Sequence, residues 1–314
     1  MSPLPYARRG FRYNNYRYYL EDLFGKRVQR VSVEGGFSCP NRDGTLGTQG
    51  CIYCNSHSFS PPYADRSRSV TEQMSEGMRF LRRRFGAEKF IAYFQSQSNT
   101  YAPAKRLEKL YREALQHPEV VGLAVSTRPD CVGDGVLELL KAISRDHEVN
   151  LELGIESVYD ASLEWMHRCH DASTTLNAVK RAHAHGLDVT GHLILGLPCE
   201  RREATLDMVS VLNTLPLKFL KLHHLQVIRD TPLALRYREA PFPLFGYREY
   251  LEFVAEFIAR LRPDMILQRV ISSAPEDYLI APKWEPTTTA FIMDLQKYMR
   301  EKGLWQGDKY RPWH

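Results

Sequence analysis

The sequence lacks any apolar run that approaches the roughly 18 residues of a membrane span. Its N-terminal stretch, rich in Arg and Tyr, also lacks the apolar core of a signal peptide. These absences predict a cytoplasmic protein without a membrane partner, in which thiols stay reduced. The six cysteines of the 314 residues are therefore expected to bind metal or to be buried, rather than to form disulfides.

The sequence also lacks a strong charge excess, a long linker and an internal repeat. Lys and Arg number 42 against 37 Asp and Glu, a formal net charge of +5. This mild excess is compatible with an anionic partner and does not by itself predict one. Hydrophobic residues make up 43% of the chain, which is ordinary for a globular protein able to bury a sizeable core.

Short apolar segments alternate with helical patterns along most of the chain, which predicts a parallel α/β fold. The six predicted strands are Val28–Val33, Phe90–Phe94, Val120–Ser126, Val149–Ile155, Val189–Leu195 and Phe219–Leu225. Six units are fewer than the eight of a closed TIM barrel, so we expect a partial (β/α)6 barrel. We assign residues 1–26 to a basic and aromatic N-terminal segment, 27–235 to the barrel and 236–314 to a C-terminal α/β extension.

Helix boundaries are predicted from caps and from glycine. Ser69 and Glu72 have the spacing of a capping box before an apolar pattern of helical period. Gly186 is a plausible helix stop after the pattern that begins at Ser173. In the extension we expect helices near Tyr247–Leu261 and Thr287–Lys302, around a short strand at Met265–Val270.

Three cysteines, Cys39, Cys51 and Cys54, form a C-x11-C-x2-C loop directly after the first predicted strand. Three thiolates leave one iron of a [4Fe–4S] cluster without a protein ligand, and this iron is free to bind a small molecule. The alternative is a structural zinc site, which needs a fourth ligand such as His57 or a more distant cysteine. The ligand count favours the cluster.

Polar residues follow five consecutive predicted strands, at the edge where parallel α/β folds bind ligands. They begin at the cysteine loop and continue through Gln95–Asn99, Ser126–Asp130, Glu152–Ser157 and Gly191–Pro198. One polar strand end is usually a turn or a cap. Five in series predict a site at one mouth of the barrel.

The chain resembles the radical-SAM superfamily, and within it the YhcC-like family, which is related to the elongator catalytic-subunit and oxygen-independent coproporphyrinogen oxidase branch. The resemblance covers most of the chain, from about Arg27 to the RPW at Arg311–Trp313. It is carried by GGFSCPNRDGT, GCIYCN, TRPDCV, LELGIES, GHLILGLP and LKLHHLQV.

The resemblance implies an enzyme that reductively cleaves S-adenosylmethionine (SAM) at a [4Fe–4S] cluster and so forms a 5′-deoxyadenosyl radical. It implies an external electron donor such as flavodoxin or ferredoxin. Cys39, Cys51 and Cys54 would ligate the cluster. The residues implied to contact SAM are Gln95 at the amino group, Glu156 near the ribose and methionine part, Arg168 at the carboxylate, and His192 with the backbone at Leu193 against the nucleoside.

Other residues near the predicted mouth have open assignments. Strand alternation puts one of His223 and His224 toward the lumen, and places Lys221 on the same side as His223, where a cation would suit an anionic substrate. Arg269 is a candidate for a similar role. The remaining cysteines, Cys131, Cys169 and Cys199, are expected to be inert or buried rather than a second metal site.

Basic and aromatic residues alternate in the N-terminal segment, including Arg8, Arg9, Arg12 and Arg30. This composition suits nucleic-acid binding and equally suits a helix that caps the bottom of the barrel. Together with the elongator resemblance it favours tRNA as substrate, at the 5-substituent of the wobble uridine. The alternatives are radical chemistry on a small metabolite or porphyrin, and a zinc-stabilised RNA-binding module.

Overall fold

Seven parallel strands form one curved sheet in the computed structural model, which describes residues 4–55 and 61–312. The strands lie in the order β1-β2-β3-β4-β5-β6-β8. Their bounds are β1 Val28–Val33, β2 Lys89–Phe94, β3 Val120–Thr127, β4 Glu148–Glu156, β5 Asp188–Leu195, β6 Phe219–His224 and β8 Ile266–Arg269. The predicted partial α/β barrel is confirmed.

The seventh strand comes from the region that the sequence pattern assigned to the C-terminal extension. β8 pairs in parallel with β6, with Phe219 opposite Ile266 and Leu220 opposite Leu267. It therefore continues the main sheet instead of packing against it. A separate antiparallel pair joins β7 (Val227–Ile228), which follows the carboxyl end of β6, to β9 (Leu279–Ala281).

Ten α-helices are present in the described part of the chain. They are α1 Tyr16–Phe24, α2 Val70–Phe85, α3 Ala104–Ala114, α4 Asp134–Ile143, α5 Asp160–Trp165, α6 Ala172–Ala184, α7 Arg202–Thr214, α8 Pro232–Glu239, α9 Tyr247–Arg260 and α10 Thr288–Glu301. The capping box of α2 is confirmed, since Ser69 and Glu72 exchange both side chain-to-backbone hydrogen bonds. Gly186 follows α6 in a left-handed conformation (φ +77°), as predicted for a helix stop.

The two faces of the sheet carry different residues because side chains alternate along each strand. One face packs against the helices in a large apolar core. The inner face is apolar only toward the amino ends of the strands, where Tyr19, Ile91 and Phe219 pack together. Toward the carboxyl ends it is polar, so the fold closes one end of the barrel and leaves the other for a site.

The N-terminal segment caps the closed end. Asn15 forms a parallel bridge with Leu267 of β8, and the carbonyl of Asn14 accepts a hydrogen bond from Leu267 N at 2.9 Å. Tyr13, Tyr18 and Tyr19 are buried. Of the two alternatives for this segment, the packing of its aromatic rings fits a cap, because buried rings are not available to stack on bases.

None of the helices in residues 4–55 and 61–312 combines the length and apolar character that crossing a membrane requires.

Candidate active site at the carboxyl ends of the strands

A cavity of about 310 Å³ opens at the carboxyl ends of the strands. The predicted cluster ligands Cys39, Cys51 and Cys54 all line it. So do four of the five residues predicted to contact SAM, namely Gln95, Glu156, Arg168 and His192. Residues far apart in the chain therefore meet at one site, as expected for the carboxyl edge of a parallel sheet.

Backbone hydrogen bonds fold the cysteine loop back on itself. Arg42 N donates to Cys39 O at 2.8 Å, and Gly50 N donates to Asn41 O at 2.7 Å. Gly50 has a φ of +74°, and a Cβ there would lie 2.8 Å from Arg42 Nε. Glycine is therefore needed at this turn, just before Cys51.

Three N–H donors surround the buried sulfur of Cys51. Arg168 Nη1 lies 3.4 Å from the sulfur, Asn41 Nδ2 lies 3.6 Å away and Arg128 Nη1 lies 3.9 Å away. The thiolate is the metal-binding form of cysteine, and N–H donors at these positions suit a sulfur that ligates a cluster. Burial raises the pKa of Cys54, an effect that Arg42 opposes. A positively charged metal centre would favour the Cys54 thiolate further.

The zinc alternative required a fourth ligand. His57 lies outside the described residues. Within the ranges 4–55 and 61–312, no three His, Cys, Asp or Glu side chains come together as a site for a single metal ion.

Arg168 lines the cavity and is only 5% exposed. Its Nη2 donates to Gly154 O at 2.7 Å, and its Nη1 lies 3.9 Å from Glu156 Oε1. Its neighbours His167 and Cys169 both have positive φ, at +56° and +57°. Left-handed conformations at non-glycine residues cost free energy, and here two of them flank Arg168, whose side chain lines the site.

Glu156 ends β4 at an irregularity in its pairing with β5, with a φ of +61°. Burial raises the pKa of its carboxyl group, and the nearby Arg168 guanidinium opposes that rise. A Cβ at Gly154 would lie 2.6 Å from Glu156 Oε1 and 3.0 Å from Arg168 Nη2. The glycine of the LELGIES motif thus leaves room for both charged groups.

Unsatisfied polar atoms at this cavity fit a bound polar group. Arg168 Nε, His223 Nε2 and Ser98 Oγ are buried and have no hydrogen-bond partner among the described residues. Buried polar atoms without partners are rare in folded proteins. Together with three cysteines on the same wall, they fit a cluster and a polar small molecule that occupy this space.

His192 and Leu193 point to opposite sides of β5. His192 Nε2 lies 3.0 Å from Glu152 Oε2, and burial lowers its pKa to about 4, so the ring is neutral near pH 7. The side chain of Leu193 is buried in the core behind the sheet, and Ile194 lines the cavity. The role predicted for the Leu193 backbone stays a prediction.

Several residues at the site had no assigned role in the sequence analysis, or a different one. Arg128 is fixed by Asp130 at 2.9 and 2.8 Å and by Arg168 O at 2.6 Å. Arg30, grouped above with the basic N-terminal segment, points into the lumen, where its Nη1 donates to Glu152 Oε1 at 2.6 Å. The alternation of lumen and core residues along β1 is the signal that identifies its orientation.

Of the two histidines of β6, one was predicted to face the lumen and the other the helix layer, whereas both border the cavity. His223 lines the cavity 5.7 Å from the His192 ring, together with Lys221 and Arg269. His224 also borders the cavity, but its ring stacks on Trp284 at 4.3 Å.

The other three cysteines do not line the cavity. Burial raises the pKa of Cys131 to about 12, which makes its thiol unreactive. Cys169 and Cys199 are exposed, and their sulfurs hydrogen-bond to Asn41 Oδ1 at 3.0 Å and to Ser162 Oγ at 3.6 Å, respectively.

Comparisons with known proteins agree with this architecture. Residues 43–212 match the Radical SAM superfamily, and residues 217–301 match the Radical_SAM C-terminal domain. Protein YhcC of Escherichia coli strain K12 is 34% identical over 295 residues, which cover 94% of each chain.

Two further similarities are more distant. A tRNA uridine(34) acetyltransferase of Methanocaldococcus infernus is 25% identical over 208 residues, 64% of this chain and 37% of that one. The structure of Elp3 from the same archaeon superposes with a TM-score of 0.67 at 18% identity, covering 88% of this chain and 63% of that chain. At this identity the superposition shows a shared fold.

The match over more than half of the chain and the full-length similarity to YhcC agree with the cysteine loop and the partial barrel. This chain belongs to the radical SAM superfamily, whose enzymes use a [4Fe–4S] cluster and S-adenosylmethionine.

Proposed function

We propose that this radical SAM enzyme modifies the 5-substituent of the wobble uridine of tRNA. The observation that carries the proposal is the alignment of 208 residues with a tRNA uridine(34) acetyltransferase. The site supports it, because the cavity opens at the mouth of the barrel and extends down to Lys221 on β6. A base turned out of a folded RNA enters such a cavity with its substituent first.

In this proposal Cys39, Cys51 and Cys54 hold the cluster, and Arg168 pairs with the carboxylate of SAM. When bound, the cluster and SAM supply one-electron cleavage of a sulfonium bond and abstraction of a hydrogen atom from the substrate. The electron comes from a small carrier such as flavodoxin or ferredoxin, in the cytoplasm.

The chain's own residues orient the reactants and exclude water. Arg168 is held by Gly154 O and Glu156, so its guanidinium is already in place for a carboxylate. His192 is fixed by Glu152 and presents a neutral ring to the nucleoside. Below them, Tyr16, Tyr19 and Phe219 close the lumen against solvent, with Tyr16 and Tyr19 each packed against the Phe219 ring.

The test is to compare the modified nucleosides of total tRNA from cells with and without the gene, by liquid chromatography and mass spectrometry. We expect one wobble-uridine nucleoside to disappear and its precursor to accumulate. Cys54→Ala should fail to restore the product, whereas Cys199→Ala, a change at an exposed cysteine outside the cavity, should restore it. An unchanged nucleoside profile would reject tRNA and favour a small metabolite as substrate.

A further inference from the structure

The lower part of the cavity, below the cysteines, is rich in positive charge. Its wall includes Lys221 on β6 and Arg269 at the end of β8, which lie opposite each other in the sheet. His192 is the neighbour of Lys221 on the other side. These three residues come from three adjacent strands, and they converge although they are distant in the sequence.

Carboxylates are scarce on the same wall. Five Lys or Arg side chains line the cavity in the described part of the chain, against Glu156 as its one carboxylate. The five cationic residues are Arg42, Arg128, Arg168, Lys221 and Arg269. Arg168 pairs with Glu156, and Arg128 pairs with Asp130. The upper arginines are therefore engaged at the cysteine loop, and the excess charge lies lower down.

Glu152, behind the wall, does not cancel this excess. Its Oε1 accepts from Arg30 Nη1 at 2.6 Å, and its Oε2 accepts from Lys221 Nζ at 2.5 Å and from His192 at 3.0 Å. One carboxylate is thus shared by Arg30, by Lys221, whose pKa is lowered by burial to about 7 although Glu152 opposes that change, and by the His192 imidazole. Arg269 forms no ion pair with any residue that the structure describes.

An unpartnered imidazole nitrogen faces the same space. His223 Nε2 is buried and lacks a hydrogen-bond partner among residues 4–55 and 61–312. Burial lowers the pKa of His223 well below its usual range, so the ring is neutral and has one N–H to donate. A buried polar atom without a partner costs free energy unless a ligand satisfies it.

We propose that the lower lumen is a binding subsite for a carboxylate carried by the substrate, held by Lys221 and Arg269 with His223 as a neutral donor. The identity of the molecule that carries the carboxylate rests on the proposed function. In that function the carboxylate belongs to the substituent of a base turned into the barrel. Backbone phosphates stay at the mouth, because only the substituent of an inserted base extends as far as Lys221.

The test measures binding, under anaerobic conditions, to the holoenzyme loaded with cluster and SAM. The probes are uridine-5-acetic acid and its isosteric amide, together with phenylacetate and phenylacetamide, which present the same pair of groups without a nucleoside. We expect uridine-5-acetic acid to bind at least about tenfold more tightly than its amide, since charge-assisted hydrogen bonds are stronger than neutral ones.

Two variants locate the preference. Arg269→Gln, at an exposed residue, should remove most of the preference for the acid and leave amide binding unchanged. Lys221→Met should do the same, although it removes one of the two basic side chains that bind Glu152, so its folding is checked by thermal unfolding. Arg300→Gln, which removes one exposed positive charge from α10 outside the cavity, should change nothing.

The outcomes separate the two proposals. Equal binding of acid and amide in both probe pairs by the wild type, or an acid preference that survives Arg269→Gln, overturns the carboxylate subsite. A second result separates the proposals. The wild type would prefer phenylacetate to phenylacetamide, Arg269→Gln would lose that preference, and neither uridine probe would bind more tightly than its phenyl counterpart. In that case the subsite stands and the wobble-uridine proposal fails.

Discussion

The two ends of the barrel, at the amino and carboxyl ends of its strands, have different roles. At the amino end, Asn14 is fully buried, yet its side chain bonds to Tyr6 N at 3.0 Å and to Pro263 O at 2.7 Å. At the carboxyl end, Arg168 Nε and His223 Nε2 are buried without partners in the described chain, and Glu156 has a left-handed backbone. Buried atoms without a partner in the described chain also occur near the closed end, at Asn150 Nδ2 and Gln296 Nε2, so what distinguishes the open end is that its unsatisfied groups and left-handed residues border a cavity.

The largest expected effect at the open end is at Cys54, where a substitution should abolish function with little effect on the fold. Cys54→Ala should abolish iron binding and SAM cleavage, because two remaining thiolates do not hold a cluster with one open iron. Iron content and 5′-deoxyadenosine formation measure this. Cys199→Ala is the matched control, and cleavage by a Cys54→Ala protein would refute the ligand assignment.

At the closed end we expect the reverse, a large loss of stability with the site intact. Tyr19 is 6% exposed and packs on Phe219 with ring centres 5.3 Å apart. Tyr19→Ala should lower the free energy of unfolding by about 3–5 kcal/mol, and Tyr19→Phe, which keeps the ring, by about 1 kcal/mol. Denaturant titration measures both. A comparable loss of SAM affinity in the folded Tyr19→Ala protein would break the division between the two ends.

Arg168 should affect SAM binding, and because its replacement removes the cation beside the buried Glu156, binding is compared only among variants shown by thermal unfolding to be folded. Arg168→Met removes a charge-assisted contact worth about 1.5–3 kcal/mol, which corresponds to a SAM dissociation constant about 10- to 150-fold larger. Arg168→Lys should recover part of the affinity. Arg201→Met, a control change at an exposed residue outside the cavity, should leave SAM binding unchanged. Equilibrium dialysis measures the constants, and unchanged binding in Arg168→Met would remove this residue from the SAM site.

The smallest effect concerns the stored strain at Gln97, which lines the cavity with a φ of +66°. Glycine accepts this conformation without steric cost, so Gln97→Gly should be more stable than Gln97→Ala by up to about 1 kcal/mol. Both variants lose the same side chain, and the difference isolates the backbone. Equal thermal unfolding of the pair would mean that the left-handed residue is not strained.

The regular elements and the grouping of three cysteines in one loop could be predicted because each rests on local chemistry. The capping box at Ser69 and Glu72 and the C-x11-C-x2-C loop are visible within a few residues of sequence. Alternation along β6 correctly placed Lys221 and His223 on one side.

The features that the sequence did not predict depend on which secondary-structure elements pack against each other. β8 joins the sheet because the edge of β6 is available, which chain order alone does not state. From the sequence, Arg30 was grouped with the other basic N-terminal residues. In the structure it forms an ion pair with Glu152 across the lumen. The aromatic N-terminal segment was equally compatible with RNA binding until Tyr13 and Tyr19 proved to be buried.

The most direct measurement is Mössbauer spectroscopy with iron and sulfide analysis of the wild-type protein, purified without oxygen and titrated with SAM. We predict about four irons per chain, as in a [4Fe–4S] cluster, with one iron site whose spectrum changes when SAM is added. A single zinc ion per chain, or a cluster in which all irons remain unaffected by SAM, would contradict the assignment of the three cysteines.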